Sequence, residues 1–306
     1  MQLLIFGGIT FALAFIASLI GLAIIASVNH LSLLQLSTLS QGDFAKPQNA
    51  GIVRGLLVVQ FFGIFLLPSL VFAYLADPKP LEFAGLKKPD RIGFIFLGTL
   101  IILCSYLMVE WLGVLNEKLV QNFLGKTTQQ WIQKGESDVS GTLQNILTMN
   151  NSRDLITSIF LVGVLAAIGE ELFFRGIVQR IFIQVFKNPW IGIIVTAAIF
   201  SAAHGQFLGF IPRMILGMIL GALYWYSGSL LPAIVGHFVF NSLQILLVYY
   251  KVTDVNQQNS SGSSDKFLPV IGITAMIVVI VLLNYLRKRS ITTYARVYQT
   301  TPEWGE

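Results

Sequence analysis

Two adjacent carboxylates interrupt an apolar stretch of this sequence, in the run GEELFFRG at 169–176. An ionisable side chain at membrane depth costs roughly a few kcal/mol or more, and it normally faces a protein interior or a water-filled cavity with a function. Glu171 and Arg175 are four residues apart, with the glutamate first, which is the better order for an ion pair on a helix. Glu170 is turned about 100° from Glu171 and needs another partner. The run therefore predicts one carboxylate held by arginine and one available for chemistry.

Two of the three histidines also lie in or at the end of apolar stretches. His204 closes one stretch, four residues after Phe200, while His237 and Asn241 share a helical face of a later one. A glutamate beside a histidine can remove a proton from water. Histidine and asparagine can each donate a hydrogen bond to a developing oxyanion, worth roughly 3–4 kcal/mol per donor. If the glutamate, the two histidines and the asparagine lie close together, their chemistry predicts amide hydrolysis with water as the nucleophile.

Each of these signals also has a structural interpretation. Glu171 and Arg175 could form an ion pair near the membrane interface, although that leaves Glu170 without a partner. His204 could be an ordinary residue at a helix end. The later histidine and asparagine could make an interhelical hydrogen bond, worth about 0.6 kcal/mol on average in membranes. The joint occurrence of the signals in consecutive apolar stretches favours function.

Other hydrolytic chemistries fit the sequence less well. Ser201 lies near His204, but the sequence around it is not the nucleophile elbow of a serine hydrolase. No aspartate falls in an apolar stretch, as an intramembrane aspartyl protease would require, and the HExxH zinc motif is absent from the sequence.

The composition predicts an all-α polytopic membrane protein. The 306 residues are 55% hydrophobic and 11% charged, against about 25% charged in soluble domains, and the mean hydropathy is +0.73. The net charge of +5 comes from basic residues dispersed around the spans and does not indicate nucleic-acid binding. The single cysteine, Cys104, excludes an internal disulfide and a cysteine-rich metal site.

Apolar runs long enough to cross the membrane predict about eight transmembrane helices, with a catalytic core in helices 4–7. The first is predicted to be a retained span, because it lacks a basic n-region and a clear cleavage site. The predicted spans are about 2–28, 51–76, 92–115, 155–174, 189–204, 207–227, 229–250 and 267–286.

The basic residues predict the orientation of an integral, multi-pass membrane protein. With eight crossings, the basic clusters at 79–91, 175–187 and 287–289 fall on one side together with both termini. By the positive-inside rule that side is cytoplasmic.

We divide the chain into three parts: N-terminal framing helices and loops (1–154), a catalytic transmembrane core (155–250), and a polar loop, last helix and cytoplasmic tail (251–306). Within the first part, 116–154 is either an interfacial amphipathic helix or a packed loop. The run from Asn256 to Ser264 predicts a flexible loop. Gly217 and Gly221 predict close helix packing within the fold, whereas His30, Cys104 and Glu110 receive no function.

The three polar patterns together resemble the ordered motifs of a known protein family. EExxxR at 170–175, FxxxH at 200–204 and HxxxN at 237–241 are similar to those of the CPBP intramembrane endopeptidases. These are CAAX-processing and bacteriocin-processing enzymes, also named the Abi or CAAX amino-terminal protease family. The resemblance covers roughly 155–250, about a third of the chain.

The resemblance implies a role for each motif residue. Glu170 and His204 would activate water, and His237 and Asn241 would form the oxyanion hole. The structural or positioning residues would be Glu171, Arg175 and Phe200.

The family is often labelled as metalloproteases and has also been interpreted as metal-free glutamate proteases, so a zinc cofactor stays open. Glu170, His204 and His237 are the candidate ligands for zinc in a site of two histidines and one carboxylate. Asn241, beside His237, mildly favours the oxyanion role, because asparagine is a poor zinc ligand.

The expected partners are the lipid bilayer and a membrane-associated peptide or protein, including a lipidated or CAAX-like one, cleaved near the cytoplasmic side. Two alternatives belong to other functional classes. Glu/His sets also serve proton-coupled transporters, although matching broken spans in the two halves are absent. A non-catalytic membrane scaffold or immunity protein is the second alternative.

Overall fold

The computed structural model describes residues 1–252 and 266–298, and every regular element in those ranges is helical. The all-α polytopic fold is therefore confirmed. The flexible loop predicted at 256–264 lies outside the described residues. In chain order the main helices are α1 (Gln2–Val28), α2 (Pro47–Ala76), α3 (Gly93–Phe123), α4 (Lys126–Ile146), α5 (Ser152–Phe186), α6 (Pro189–Ala203), α7 (Phe210–Ser227), α8 (Leu231–Tyr249), α9 (Leu268–Arg289) and α10 (Tyr294–Tyr298).

Seven of these helices are long and apolar enough to cross a membrane: α1, α2, α3, α5, α7, α8 and α9. The predicted count of about eight differs by one, because α6 has only 15 residues. At 1.5 Å per residue α6 is about 22 Å long, short of the roughly 30 Å hydrocarbon layer. The described part of the chain thus has seven candidate spans and one shorter apolar helix.

The outer helices expose large apolar side chains, as in an integral membrane protein. Phe11 and Phe15 on α1 and Ile277 and Val281 on α9 are all exposed. Lipid tails are as apolar as these side chains, so association between spans depends on close packing and hydrogen bonds instead. The polar contacts between spans are therefore the informative ones.

The interior is built around α3, which packs against α7, α8 and α9, while α5 contacts α2, α6, α7 and α8. Small residues permit these close approaches. A Cβ on Gly217 would lie 3.2 Å from Ala197 Cβ, and one on Gly221 would lie 2.5 Å from Gln179 Oε1. The close packing predicted for this glycine pair within the fold is confirmed.

The helix α5 changes its winding four times along its length. It is α-helical over Ser152–Ser158, Ala166–Glu170 and Arg180–Phe186, and π-helical over Ile159–Leu165 and Glu171–Gln179. The adjacent glutamates lie where the central α-helical segment meets the second π segment. Such π segments are rare and often occur at functional sites.

The sequence left 116–154 as either an interfacial amphipathic helix or a packed loop. Most of this segment is helical, because α4 covers Lys126–Ile146. It is docked on the protein, because Asn145 Nδ2 donates to Phe44 O and Lys46 O, both at 2.8 Å. Ile132 and Ile146 on the same helix are buried.

Candidate active site

Two glycines let α5 approach its neighbours closely around the glutamates. A Cβ on Gly169 would lie 2.9 Å from Phe61 Cδ2 and 3.0 Å from Phe65 Cβ on α2. On Gly176 it would lie 2.8 Å from the carbonyl oxygen of Ala84. Real Cβ contacts are almost never shorter than 3.0 Å, so these glycines fix how deeply α5 lies in the fold.

The predicted ion pair between Glu171 and Arg175 is present and fully buried. Arg175 Nη1 lies 2.7 Å from Glu171 Oε1, and both side chains are 0% exposed. Arg175 Nη2 also donates to Gly217 O at 3.2 Å. One turn further along, Gln179 Nε2 donates to Gly221 O at 3.1 Å. Two side chains of α5 therefore bind two buried backbone carbonyls of α7.

His237 joins this pair from α8. Its Nδ1 lies 2.8 Å from Glu171 Oε1, and its Nε2 lies 3.9 Å from Glu170 Oε2. An ionised carboxylate only accepts hydrogen bonds, so Nδ1 carries the proton in the bond to Glu171. We refer to Glu171, Arg175 and His237 as the buried ion-pair cluster. Glu170, whose side chain is 15% exposed, lies beside this cluster.

His204 lies at the C-terminal end of α6, and its Nδ1 is 2.8 Å from Phe200 O. A carbonyl oxygen only accepts, so Nδ1–H donates and the Nε2 lone pair remains available. The ring is partly exposed. It has Coulombic interactions with Arg213, His237 and Arg175. Sequence reasoning paired Glu170 with His204. In the structure His204 is hydrogen-bonded to Phe200 O, and the histidine nitrogen near Glu170 is Nε2 of His237, 3.9 Å away.

Phe200 lies among these groups and is buried. The guanidinium carbon of Arg175 is 4.4 Å from the centre of its ring, a cation–π contact. The rings of His204 and His237 meet it edge-on, with centroids 4.9 and 6.2 Å away. Phe200 therefore lies edge-on to both histidine rings and beneath the Arg175 guanidinium, as expected of a positioning residue.

Asn241 lies one turn after His237 and contacts a different part of α5. Its Nδ2 donates to Val162 O at 2.9 Å, inside the first π segment. An asparagine amide has two donor hydrogens, and this contact uses one of them.

Sequence reasoning missed four polar residues of this region: Asn116, Glu136, Gln179 and Arg213. Asn116, Glu136 and Gln179 are buried. Arg213 has Coulombic interactions with Glu136 and Glu170. The cost of a charge in a span could have identified Arg213, which lies within the predicted sixth span. The other three lie in mixed or polar sequence that gives no comparable signal.

The candidate zinc ligands do not form a metal-binding group here. Among residues 1–252 and 266–298, no set of three or more His, Cys, Asp or Glu side chains is arranged to hold a metal ion. Glu170, His204 and His237 therefore do not supply the three convergent ligands that a catalytic zinc site needs. The chemistry proposed below uses side chains and water.

A cavity of about 770 Å³ lies elsewhere, at the ends of several helices. Arg180, Tyr224 and Tyr298 are among its lining residues, and none of the predicted site residues lines it. The candidate active site is therefore defined by its hydrogen bonds and charges and not by that cavity.

Comparison with protein families shows that the stretch containing these residues is similar to a known domain. Residues 152–243 match the model described as Type II CAAX prenyl endopeptidase Rce1-like. The matched stretch begins with α5, ends within α8, and contains all three motifs. The predicted resemblance to the CAAX protease family is therefore confirmed for this stretch.

A curated relative covers a similar length of sequence. An Escherichia coli protein described as an uncharacterized 24.3 kDa protein is 30% identical over 97 residues, which is 30% of this chain and 45% of the relative. The chain thus spans less than half the length of that relative. None of the solved structures matches the chain significantly.

Proposed function

We propose that this protein is an intramembrane endopeptidase of the CAAX type, which hydrolyses a peptide bond of a membrane-associated peptide or protein. The observation that carries the proposal is the contrast between the adjacent glutamates. Glu171 is fully buried and bonded to Arg175 and His237, whereas Glu170 is partly exposed beside them. The match of 152–243 to a family of prenyl endopeptidases supports the reaction class.

In the proposed reaction Glu170 and His204 activate one water molecule. The carboxylate of Glu170 removes one proton while the water oxygen attacks the carbonyl carbon, and His204 Nε2 accepts a hydrogen bond from the second water hydrogen, which stays on the oxygen. When the C–N bond breaks, Glu170 returns its proton to the leaving amine. One water is consumed, the carboxylate is regenerated, and the products are a new carboxyl terminus and a new amino terminus. General base catalysis of this kind contributes about 10²–10⁴-fold to the rate.

His237 and Asn241 are proposed to stabilise the oxyanion. The Nδ1–H of His237 is used by Glu171, so its Nε2 can donate to substrate only when the ring carries both protons. The second amide hydrogen of Asn241 is the other donor in this proposal. The buried ion-pair cluster then orients His237, and Phe200 lies edge-on to both histidine rings.

The position of the site supports the proposed substrate class. The glutamates lie near the middle of a 35-residue apolar helix, so the scissile bond must enter the membrane region. A lipidated or CAAX-like chain end meets that requirement because its lipid holds it at the bilayer.

Purified protein and a panel of membrane-tethered peptides test the proposal. We expect Glu170→Gln and His204→Ala to lower kcat about 10²–10⁴-fold. Glu110→Gln is a matched control, because Glu110 is also a glutamate within a span and is partly buried near Tyr106 on α3. It should retain the wild-type rate.

Two outcomes would contradict the proposal. Full cleavage by both Glu170→Gln and His204→Ala would exclude these residues from the reaction. Loss of cleavage on chelation, with recovery on adding zinc, would replace the metal-free water activation by a metal-dependent one.

A further inference from the structure

The loop 204–209 joins α6 to α7 and begins with His204, so its position determines where that ring lies. We call 204–209 the His204 loop. Gly205 follows the histidine with a φ of +66°, a backbone conformation that favours glycine. The side chain of Ser201 donates to Phe210 O at 2.7 Å and joins the two ends of the turn. Residues within the loop cannot by themselves fix its backbone relative to α5.

Two buried side chains from distant helices bind the backbone of the His204 loop. Glu136 on α4 accepts a hydrogen bond from Leu208 N through Oε1, at 2.9 Å. Asn116 on α3 donates through Nδ2 to Phe207 O and Leu208 O, at 2.8 and 2.7 Å. Together they bind both the carbonyl and the N–H of the Phe207–Leu208 peptide unit, which leaves little freedom for that unit.

Side-chain contacts reinforce the same docking. The rings of Trp131 on α4 and Phe207 in the loop have centroids 5.3 Å apart. Arg213, at the start of α7, donates through Nη2 to Gln206 Oε1 at 2.6 Å and interacts with the charge of Glu136. The loop is therefore held on one side by α3 and α4 and on the other by the first turn of α7.

Asn116 and Glu136 lie outside residues 152–243, the stretch that matches the endopeptidase family. The predicted catalytic core also excludes them. Hydrogen bonds to a loop backbone do not require a motif that a family model would record, because many sequences can present one amide and one carboxylate there.

We propose that Glu136 and Asn116 are positioning residues for His204, acting through the Phe207–Leu208 peptide unit, and that α4 is consequently part of the catalytic unit. This inference rests on the proposed role of His204 in activating water. Releasing the loop would shift the Nε2 atom relative to Glu170, and a displacement of about 1 Å in a catalytic geometry can lower the rate about 100-fold.

Kinetics of Glu136 variants test the proposal in the full-length protein. Glu136→Ala removes the acceptor for Leu208 N and should lower kcat about 10–100-fold while KM changes little. Glu136→Gln keeps an oxygen acceptor at the same place and should recover most of that loss. Glu117→Gln is the control, because Glu117 lies next to Asn116 but bonds Gln121 on its own helix.

A distance measurement tests the same inference independently of turnover. Spin labels are attached at Gln133→Cys on α4 and Ala203→Cys before His204, both exposed positions, in a Cys104→Ser background. Glu136→Ala should broaden the distance distribution between the labels, and Glu136→Gln and Glu117→Gln should leave it narrow.

The outcomes separate this inference from the proposed function. If wild-type protein cleaves the peptides and Glu136→Ala matches it in kcat and in label distances, the positioning role is wrong and the endopeptidase function stands. If wild-type protein cleaves none of them, the proposed function fails, and a broadened distribution still shows that Glu136 holds the loop. If, in that case, Glu136→Ala also leaves the distance distribution unchanged, the positioning role of Glu136 is wrong as well.

Discussion

The buried ion-pair cluster and the His204 loop each hold one of the two histidines of the proposed site, yet they are built in opposite ways. In the cluster, Glu171 and Arg175 are charged side chains with no exposure, bonded to each other and to His237. In the loop, backbone groups are bound by Asn116 and Glu136 from helices remote in sequence. The first is held by side-chain charges within the motifs, and the second by main-chain hydrogen bonds from outside them.

This difference predicts which property changes when each region is substituted. A buried ion pair contributes little net stability, because desolvation offsets the attraction, but removal of one partner leaves a buried charge unpaired. A hydrogen-bonded loop can be displaced without unfolding the helices that carry it. Substitutions in the cluster should therefore act on folding, and substitutions around the loop on turnover.

The largest expected effect comes from breaking the cluster. Arg175→Met should lower the free energy of unfolding by about 3–5 kcal/mol, because it leaves Glu171 buried beside Glu170 without its guanidinium partner. Reversible denaturant unfolding in detergent measures it. The double variant Glu171→Leu/Arg175→Met should lose much less than the two single losses added together. Additive losses would show that the two charges do not stabilise one another.

A smaller effect is expected from overpacking α5 at Gly176, which follows Arg175 in the sequence and faces Ala84. Gly176→Ala places a methyl group 2.8 Å from Ala84 O, and we expect a loss of about 1–3 kcal/mol in the free energy of unfolding. Gly113→Ala is the control, since a Cβ there meets nothing within 4 Å. It should be neutral or stabilising, by up to about 1 kcal/mol from helix propensity. Equal losses in the two variants would contradict close packing at Gly176.

The smallest expected effect on stability is at Asn241. This residue contacts α5 at Val162, outside both the cluster and the His204 loop. Asn241→Ala removes one interhelical hydrogen bond to Val162 O and should cost about 0.6 kcal/mol, at most about 1.7, in the free energy of unfolding. If Asn241 also stabilises the oxyanion, kcat should fall about 10²–10³-fold. If kcat stays at the wild-type value while the free energy of unfolding falls, Asn241 is a structural residue only.

Much of the fold could be predicted because its physical causes are local. Apolar runs gave the spans, since a membrane crossing requires a minimum length of apolar sequence. The four-residue spacing of Glu171 and Arg175 correctly predicted their ion pair. The count of spans differed because Pro189–Ala203 is apolar but short, and hydropathy measures composition more reliably than helix length.

The remaining contacts are not local and leave no pattern in one sequence. Glu136 binds Leu208 N and is 72 residues away in the sequence. Asn116 binds Leu208 O and is 92 residues away. The partner of Glu170 was predicted as His204, while the nearer histidine is His237, whose Nε2 lies 3.9 Å from Glu170 Oε2. Helical spacing relates residues of one helix and cannot decide which of two histidines on other helices comes nearer.

The π segments of α5 have a consequence for comparison with distant relatives. In an α-helix each residue advances the angle by about 100°, whereas a π turn bonds i to i+5 and accommodates an extra residue. The angular phase of Glu170 therefore depends on how Ile159–Leu165 is wound, and residue number alone does not give it. A relative with one residue fewer in that segment can present the same glutamates to the same histidine, and its alignment gap then belongs inside the helix.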